Sequence, residues 1–461
     1  MATSLKLNET DSWRNITKTQ WLVLLTTFLA WGLDGFDGNI FSLVIGSAMK
    51  DLLVNSGIEP TEKAIAFYGG MNITIYLIGW SLGALLFGIL ADYFGRVRVL
   101  MVSILVYALF TFACAFVDNW YTLAVFRFLT GLGSGVEWPI GAALIAESWN
   151  NRFRAKAAGI MMSGFAFGFF LSSFAFKYSQ QISQLFGFEQ SWRGMFLLGI
   201  LPAFIVVFTR GKIHEPESFK KVKELRKALK NKRIEEISES DKRYKRFVLV
   251  QLFKPPYRRD SLLSIGMSIG GLFAFWAITG FTPSTIREIL AAQGINGAAA
   301  VPLIANGSMM LYLGGMIGYA SWGFIADKIG RKKGMALSFI TTIIGTSYLY
   351  PFVKDYETFL LLLPVVGFGV FSFFSASAIY FAELFNTEVR TTAISLANNV
   401  GRFITSPGPF IVGTLYGWFG SYGVATAIVS STVAFSLILL YFAKETWKQN
   451  SLESNTTSIS G

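Results

Sequence analysis

Long apolar runs separated by short polar stretches extend along most of the chain. Twelve of these runs are long enough to be membrane-spanning helices, because crossing a hydrocarbon core about 30 Å thick takes about 20 apolar residues. They lie near residues 20–48, 67–91, 98–117, 120–146, 155–178, 193–210, 261–283, 302–326, 334–352, 357–382, 390–418 and 422–443. The pattern predicts an all-α membrane protein with twelve transmembrane helices.

Short charged motifs recur at the same places in the two halves of the chain. One motif follows the second and the eighth run, as Gly88, Asp92, Gly95 and Arg96 and again as Gly323, Asp327, Gly330 and Arg331. A second motif pairs a glutamate with an arginine seven residues later, as Glu147 with Arg154 and Glu383 with Arg390. The offsets between copies are 235 and 236 residues, about half of the chain. Two motifs in step predict two pseudo-symmetric six-helix bundles, as in secondary transporters.

The same pattern divides the chain into four parts. We expect an N-terminal six-helix bundle at 1–210, a cytoplasmic linker at 211–260, a C-terminal six-helix bundle at 261–445 and a disordered cytoplasmic tail at 446–461. The linker carries sixteen Lys and Arg residues against eight Asp and Glu residues. Basic segments beside membrane spans attract anionic lipids, so a solvated linker facing lipid headgroups explains this charge, and a regulatory role is the alternative.

Composition and charge agree with a multi-pass membrane protein. Hydrophobic residues make up 53% of the chain and charged residues 15%, whereas soluble domains have about 25% charged residues. With the N-terminus in the cytoplasm, thirty-two of the forty Lys and Arg residues fall on cytoplasmic segments. This positive-inside bias predicts a plasma-membrane protein with both termini cytoplasmic. It also explains the net charge of +12 without nucleic acid as a partner.

The chain offers little for enzymatic chemistry. Its one cysteine, Cys114, excludes an intrachain disulfide, and its one histidine, His214, has no companions for a metal site or a histidine-based triad. We therefore expect a protein that is not an enzyme and that holds no cofactor and no metal.

Two aspartates in the first run are the strongest candidates for function. Asp34 and Asp37 are three residues apart, so they share one face of a helix. At 1.5 Å per residue, Asp37 and Arg127 of the fourth run both lie about 20 to 25 Å from the cytoplasmic side. A carboxylate that leaves its cationic partner in apolar surroundings binds a proton more readily. These three residues are candidates for proton coupling, and Glu137 is either a further titrating group or a packing residue.

The eleventh run supplies candidates for substrate binding. Arg402 shares a polar stripe with Asn398 and Asn399. A guanidinium group can hold a carboxylate through two hydrogen bonds, so Arg402 is either a clamp for an anionic substrate or part of an ion pair between helices. Trp276 and Tyr312 are candidate walls of a cavity for an aromatic acid, although lipid-facing positions explain most aromatic residues in such a chain.

The repeated glycine-aspartate-glycine-arginine motif resembles the signature of the major facilitator superfamily, and the resemblance covers essentially the whole chain. In that family the motif works as a cytoplasmic latch, in which the aspartate meets the start of a neighbouring helix and an arginine in one conformation only. The resemblance implies that Asp92 meets the eleventh span near Arg390. Glu147 and Glu383, beside Arg154 and Arg390, then belong to cytoplasmic gates.

The Asp-Gly-x-Asp pattern at Asp34 to Asp37 resembles the aromatic acid:proton symporters and the neighbouring sialate and lactate symporters. The resemblance implies roles in transport for the first-span aspartates, for Arg127 and Arg402, and for Glu147 and Arg390. We therefore expect a monomeric, proton-coupled importer of a small organic anion that works by alternating access in a lipid bilayer.

Other interpretations remain open. Glu215-Pro216-Glu217-Ser218 and Lys444-Glu445-Thr446 resemble sugar-porter signatures, although the seventh span lacks an amide cluster for sugar hydroxyls. A ligand sensor without net transport would need a longer tail, and a uniporter remains possible if Asp37 does not bind a proton.

Overall fold

The computed structural model describes residues 16–135, 137–149, 151–204 and 251–447. Within these ranges it does not describe the side chains of Asp92, Tyr93, Arg96, Pro139, Ala143, Ala146, Glu147, Asn151, Arg152, Arg154, Ala155, Thr387, Glu388, Arg390 and Thr391. The described part is helical throughout and contains no strand. Most of the predicted linker and residues 448–461 of the predicted tail lie outside it.

Helices of the N-terminal bundle follow the predicted runs. They are α1 Lys18–Asn55, α2 Glu62–Phe94, α3 Arg96–Ala113, α4 Trp120–Ser134, α5 Glu137–Ser148, α6 Asn151–Phe176, α7 Ser179–Leu185 and α8 Ser191–Leu197. The start of α1 is a capping box, in which the Thr17 hydroxyl accepts from the Gln20 backbone and the Gln20 side chain accepts from the Thr17 backbone. We call the side at which α1 ends and α2 begins the outer side, following the charge-based prediction.

Helices of the C-terminal bundle repeat this arrangement. They are α9 Arg258–Ala292, α10 Ala300–Ile329, α11 Arg331–Phe352, α12 Tyr356–Ala376, α13 Thr387–Thr405, α14 Gly408–Phe419, α15 Tyr422–Ser430 and α16 Val433–Phe442. A π-helical turn, Ser377–Phe381, continues α12. Eight helical segments of the described chain are long and apolar enough to cross a membrane by themselves.

Three predicted spans, the fourth, the eleventh and the twelfth, are each divided into two helices. In the fourth span, α4 ends at Ser134 and α5 begins at Glu137. A Cβ atom at Gly135 would lie 2.2 Å from the backbone nitrogen of Ala84, so α2 packs directly against this division. In the eleventh span, Pro407 lies between α13 and α14, where its ring removes a helical hydrogen-bond donor. The divisions of the fourth and eleventh spans lie near Glu137 and Arg402, two charged residues that were predicted to function.

Glycine lets helices within each bundle touch backbone to backbone. A Cβ atom at Gly168 of α6 would lie 1.7 Å from the carbonyl oxygen of Gly32 in α1. One at Gly367 of α12 would lie 1.8 Å from the carbonyl oxygen of Leu311 in α10. Small residues allow this close approach in membranes, where packing rather than the hydrophobic effect holds helices together.

The two bundles meet closely on the outer side. Gly70 of α2 lies against Pro409 of α14, where a Cβ atom would be 2.3 Å from the Pro409 carbonyl oxygen. Gly413 lies in the same way against Ala66, at 2.2 Å from its carbonyl oxygen. The Phe410 backbone donates to the Thr74 hydroxyl at 3.2 Å. The outer parts of α2 and α14 therefore interlock, so the outer side is closed here.

Candidate functional site

Glycines bring the first-span aspartates into the centre of the N-terminal bundle. Asp34 and Asp37 are fully buried on one face of α1. Gly35, between them, lies so close to α6 that a Cβ atom would be 2.5 Å from the Phe165 carbonyl oxygen. Gly38 follows, with the Tyr76 hydroxyl oxygen 3.3 Å from its Cβ position. The two aspartates are therefore carried on a part of α1 that is packed against α6 and α2.

Asp37 and Arg127 form an ion pair inside the bundle. Arg127 Nη1 lies 3.9 Å from Asp37 Oδ2, and both side chains are buried. Within the described residues, neither Asp37 oxygen accepts a hydrogen bond. The guanidinium of Arg127 lies over the ring of Tyr76, with 4.2 Å from its carbon to the ring centroid. The pair is thus held by charge and a cation–π contact, without the short forked hydrogen bonds that make such pairs strong.

Asp34 lies between Asp37, a candidate for proton coupling, and Arg402, a candidate for substrate binding. Its carboxylate is close enough to Asp37 and to Arg402 for their charges to act on it, and Ser134 lies beside it at the end of α4. Among the described residues its two oxygens have no hydrogen-bond partner. A buried carboxylate without such a partner is costly, which favours a group that binds a proton or a ligand in turn.

Glu137 is the third buried carboxyl group of this region. It is the first residue of α5, directly after the division of the fourth span, and its side chain is buried. Tyr107 of α3 lies beside it, and the charge of Asp34 acts on it. Neither of its carboxyl oxygens has a hydrogen-bond partner among the described residues.

Arg402 reaches from the C-terminal bundle towards these carboxylates. It is buried on α13, and its Nη1 donates to Asn399 Oδ1 at 3.3 Å. Asn398 instead donates to the Ile394 carbonyl of its own helix at 3.0 Å. The guanidinium carbon lies 4.4 Å from the ring centroid of Trp80, which belongs to the N-terminal bundle. Arg402 therefore connects the two bundles at the depth of Asp34.

Trp80 is a central residue that the sequence reasoning missed. Its ring contacts Tyr76 at 5.6 Å and Trp276 of the C-terminal bundle at 5.5 Å, centroid to centroid. The indole nitrogen of Trp276 is buried and has no acceptor in the described part of the chain. Tyr76 and Trp80 are four residues apart on α2, so their rings share one face of that helix. A row of aromatic rings thus joins Arg127 to Arg402.

Tyr312 connects the bundles through a hydrogen bond. Its hydroxyl donates to Asn39 Oδ1 of α1 at 2.8 Å, and both side chains are buried. Asn39 Nδ2 in turn donates to the Ser172 hydroxyl of α6 at 2.8 Å. Asn39 was not singled out from the sequence, although it is only two residues after Asp37. Tyr312 was predicted only as an aromatic wall, and the structure shows that its hydroxyl also joins the two bundles.

The second copy of the charged motif forms a network on the side opposite the outer side. Arg331 Nη1 lies 2.6 Å from Asp327, and Arg331 Nη2 lies 3.2 Å from Glu383. Glu445 accepts from the backbone of Arg331 at 3.1 Å and of Lys332 at 3.2 Å, so it caps the start of α11. Thr446, which the tail prediction included, is buried and donates to Glu383.

Glycine is required at one position in each copy of the motif. Gly95 and Gly330, which precede α3 and α11, have φ angles of 112° and 98°. Residues with a side chain are strained there, so the turn explains these two glycines. A Cβ atom at Gly88 would meet nothing within 4 Å.

Several predicted gate residues cannot be placed against this network. The side chains of Asp92, Arg96, Glu147, Arg154 and Arg390 lie outside the described part of the structure. The first copy of the motif, and the contact between Asp92 and the eleventh span, therefore remain predictions.

The whole arrangement matches a known family. The model of the Major Facilitator Superfamily matches residues 21–320 and 298–460. The chain belongs to the major facilitator superfamily. It is therefore a multi-pass membrane protein and a secondary transporter, and it is not an enzyme.

Several relatives within the superfamily are named as transporters of organic acids and related compounds. A protein of Cupriavidus pinatubonensis named "Probable 4-methylmuconolactone transporter" is 30% identical over 92% of this chain and 90% of its own length. The 4-hydroxybenzoate transporter of Acinetobacter baylyi is 26% identical over 92% of this chain and 91% of its own. The sialic acid transporter of Escherichia coli is 26% identical over 93% and 94%. These names agree with the resemblance to organic-acid symporters.

Solved structures of the superfamily share the fold. The xylose transporter of Escherichia coli, in a partially occluded inward open conformation, superposes with a TM-score of 0.70. The superposition covers 93% of this chain and 99% of the transporter, at 17% identity. This likeness confirms the fold of twelve helices in two six-helix bundles.

Proposed function

We propose that this transporter imports a small organic acid, with an aromatic acid as the preferred substrate, together with protons. One observation carries the proposal: Arg402 of one bundle lies over the ring of Trp80 of the other, close enough to the buried Asp34 for the two charges to interact. A cation and an aromatic ring at the junction of two moving bundles are the groups that an aromatic carboxylate needs.

The substrate would bind where the aromatic row meets Arg402. The guanidinium offers a fork for the carboxylate, and Trp80 and Trp276 offer ring faces for an apolar substrate body. The indole nitrogen of Trp276, which lacks an acceptor within the described residues, can donate to a polar substituent such as a hydroxyl group. The names of the relatives that transport 4-hydroxybenzoate and methylmuconolactone support this substrate class.

Protons would be carried by the first-span aspartates. Asp37 is held 3.9 Å from Arg127 without a forked hydrogen bond, so a small movement of α1 against α4 separates the pair. A carboxylate separated from its partner in this buried setting takes up a proton rather than remain charged. Asp34, which senses both Asp37 and Arg402, would transmit substrate binding to the proton site.

Alternating access would follow from rocking one bundle against the other. We propose a monomer in the plasma membrane with both termini in the cytoplasm, as the positive-inside bias predicts. In this proposal the outer contacts between α2 and α14 close one side, and the charged motifs of the cytoplasmic side close the other.

Uptake into proteoliposomes tests the proposal. A panel of labelled benzoate, 4-hydroxybenzoate, lactate, sialate and xylose is offered with and without an inward proton gradient. We expect accumulation of an aromatic acid only with the gradient, and no uptake of the corresponding amide. Accumulation of xylose alone would favour the sugar-porter alternative, and equal uptake without a gradient would favour a uniporter.

The residue roles are tested in the same vesicles. Asp37→Asn should abolish gradient-driven accumulation and retain counterflow, because exchange needs no net proton movement. Asp34→Asn should impair accumulation less, and the reverse order would transfer the carrier role to Asp34. Arg402→Lys keeps the charge and removes the fork, so the apparent KM for acids should rise while folded yield is unchanged.

A further inference from the structure

The outer ends of the two bundles enclose a cavity that is separate from the central charges. Its volume is about 930 Å³, and its walls come from α1, α2 and the α6–α7 connection on one side and from α9, α14 and α15 on the other. Asp34, Asp37 and Arg402 do not line it. Small-molecule sites have volumes of about 300 to 1,000 Å³. We call this cavity the outer vestibule.

Arg287 is a cation of the vestibule that forms no ion pair with a carboxylate among the described residues. Lys50 lies 3.7 Å from Glu62, and Glu288 accepts from the backbone of Tyr422 at 2.8 Å, so these charges are already engaged. In the described part of the chain, Arg287 has one hydrogen bond, a long one of 3.4 Å from Nη2 to the Leu43 carbonyl oxygen. No described carboxylate lies within 4.0 Å of it. The remaining N–H groups of its guanidinium are thus available to an anion.

Ser284 adds a second unpartnered donor to the vestibule. It lies three residues before Arg287 on α9, so the two side chains share a face of that helix. Ser284 lines the vestibule and is 3% exposed, and its hydroxyl has no partner among the described residues. A buried hydroxyl without a partner is unfavourable, and a carboxylate held by Arg287 would satisfy it.

A pair of tyrosines forms an aromatic wall beside these donors. Tyr416 and Tyr422 both line the vestibule and stack with their centroids 4.1 Å apart. Tyr422 also stacks on Phe281 at 5.8 Å, which fixes the orientation of the wall. An aromatic face next to a guanidinium suits a ring that bears a carboxylate.

We propose that the outer vestibule is a second binding site for a small aromatic carboxylate, occupied when the outer side is closed. The anion binds to Arg287 and Ser284, and its ring lies against Tyr416 and Tyr422. The ligand class rests on the proposed function. Arg287 also reaches over to α1, where a Cβ atom at Gly46 would lie 2.3 Å from its Nη1. An anion that binds only to the closed arrangement stabilises the closed outer side.

Equilibrium binding to the full chain in nanodiscs tests the site, with [14C]4-hydroxybenzoate as the probe. We expect two sites per wild-type chain. Arg287→Gln should remove one of them and Arg402→Gln the other, and Arg287→Lys and Ser284→Ala should each weaken the vestibule site at least fivefold. Lys354→Gln is the matched control, because Lys354 is an exposed cation of the outer side that does not line the vestibule. Thermal unfolding of each variant shows whether it is folded.

The possible failures are distinguishable. One wild-type site that Arg402→Gln removes and that folded Arg287→Lys and Ser284→Ala leave unchanged would overturn the vestibule proposal and leave the proposed function intact. Two sites that are insensitive to all Arg287 and Ser284 variants would also overturn it. If no aromatic acid binds to any folded variant or to the wild type, both the proposed function and the vestibule ligand are wrong.

Discussion

A methyl group added at Gly413 should hold the outer side open. In the closed arrangement, a Cβ atom at this position would lie 2.2 Å from the carbonyl oxygen of Ala66 and 2.9 Å from its carbonyl carbon, whereas ordinary contacts begin near 3.4 Å. The obstacle is backbone on both sides, so no side-chain rotation relieves it. Gly413→Ala therefore requires α14 to move away from α2 by about 1 Å, which is the difference between an ordinary contact and the distance to the Ala66 carbonyl oxygen.

The expected shift follows from the cost of overpacking. Adding a methyl group to a close-packed contact costs about 1 to 3 kcal/mol. The contact exists only when the outer side is closed, so the cost falls on that conformation alone. An energy difference of this size changes a two-state ratio by about 5-fold to 150-fold. We therefore expect Gly413→Ala to raise the ratio of open to closed outer conformations by about 5-fold to 150-fold.

Double electron–electron resonance between two spin labels can detect this change in the ratio of open to closed conformations. Spin labels at Lys63→Cys and Lys354→Cys, both exposed residues of the outer side, report the separation of the two bundles. Cys114 is the only native cysteine and is buried, so Cys114→Ser gives a clean background. Gly413→Ala should increase the long-distance population and slow substrate-driven closing.

Gly417→Ala is the matched control. Gly417 lies one turn further along α14, and a Cβ atom there would meet nothing within 4 Å. It should leave the distances unchanged. If Gly413→Ala and Gly417→Ala give the same distribution as the wild type, the close contact between α2 and α14 does not hold the outer side closed, and the reasoning fails.

Two further predictions follow from other contacts, and a third follows from the repeated charged motif. Gly168→Ala places a methyl group 1.7 Å from a carbonyl oxygen of α1, so it should lower the midpoint of thermal unfolding in detergent. The control is Gly159→Ala on the same helix, where a Cβ atom meets nothing within 4 Å and the midpoint should not change. Equal midpoints for the two variants would contradict the packing argument. Tyr312→Phe removes the hydroxyl that donates to Asn39 at 2.8 Å, which leaves a buried amide unpaired at a cost of about 1 to 3 kcal/mol. In the same spin-label assay, the ratio of closed to open outer conformations should fall about tenfold. An unchanged ratio would show that the hydrogen bond is not specific to the closed form. Asp92→Asn should reduce uptake far more than Asp327→Asn at equal expression, because only the first copy of the motif is expected to meet the eleventh span. Equal losses of uptake in the two variants would show that the two copies do not differ in this way.

The sequence predicted helices and depths well because both follow from simple geometry. Apolar runs of membrane-spanning length can form little else, so the twelve-helix architecture was accessible. Counting 1.5 Å per residue also placed Asp37 and Arg127 at similar depths, and the structure puts their charged atoms 3.9 Å apart. The functional role of that pair is still a prediction.

The sequence could not show which aromatic residues meet. Trp80 is one of 12 tryptophans in a chain with 44 phenylalanines, and nothing in its local pattern separates it from lipid-facing positions. Its importance comes from contacts with Arg402 and Trp276, which are more than 190 residues away along the chain. The divisions at Gly135 and Pro407 were hidden in the same way, because each apolar run continues through them.

The length of α2 has a mechanical consequence. It runs from Glu62 to Phe94 as one helix without proline, so it acts as a rigid rod about 50 Å long. Gly70, at the outer contact, lies about 15 Å from Trp80, and Asp92 lies about 18 Å from Trp80 in the other direction. If the rod pivots at Trp80, a displacement of about 1 Å at Gly70 moves the backbone of Asp92 about 1.2 Å the opposite way. The pivoting of one straight helix would then link the outer contact, the central charges and the first charged motif.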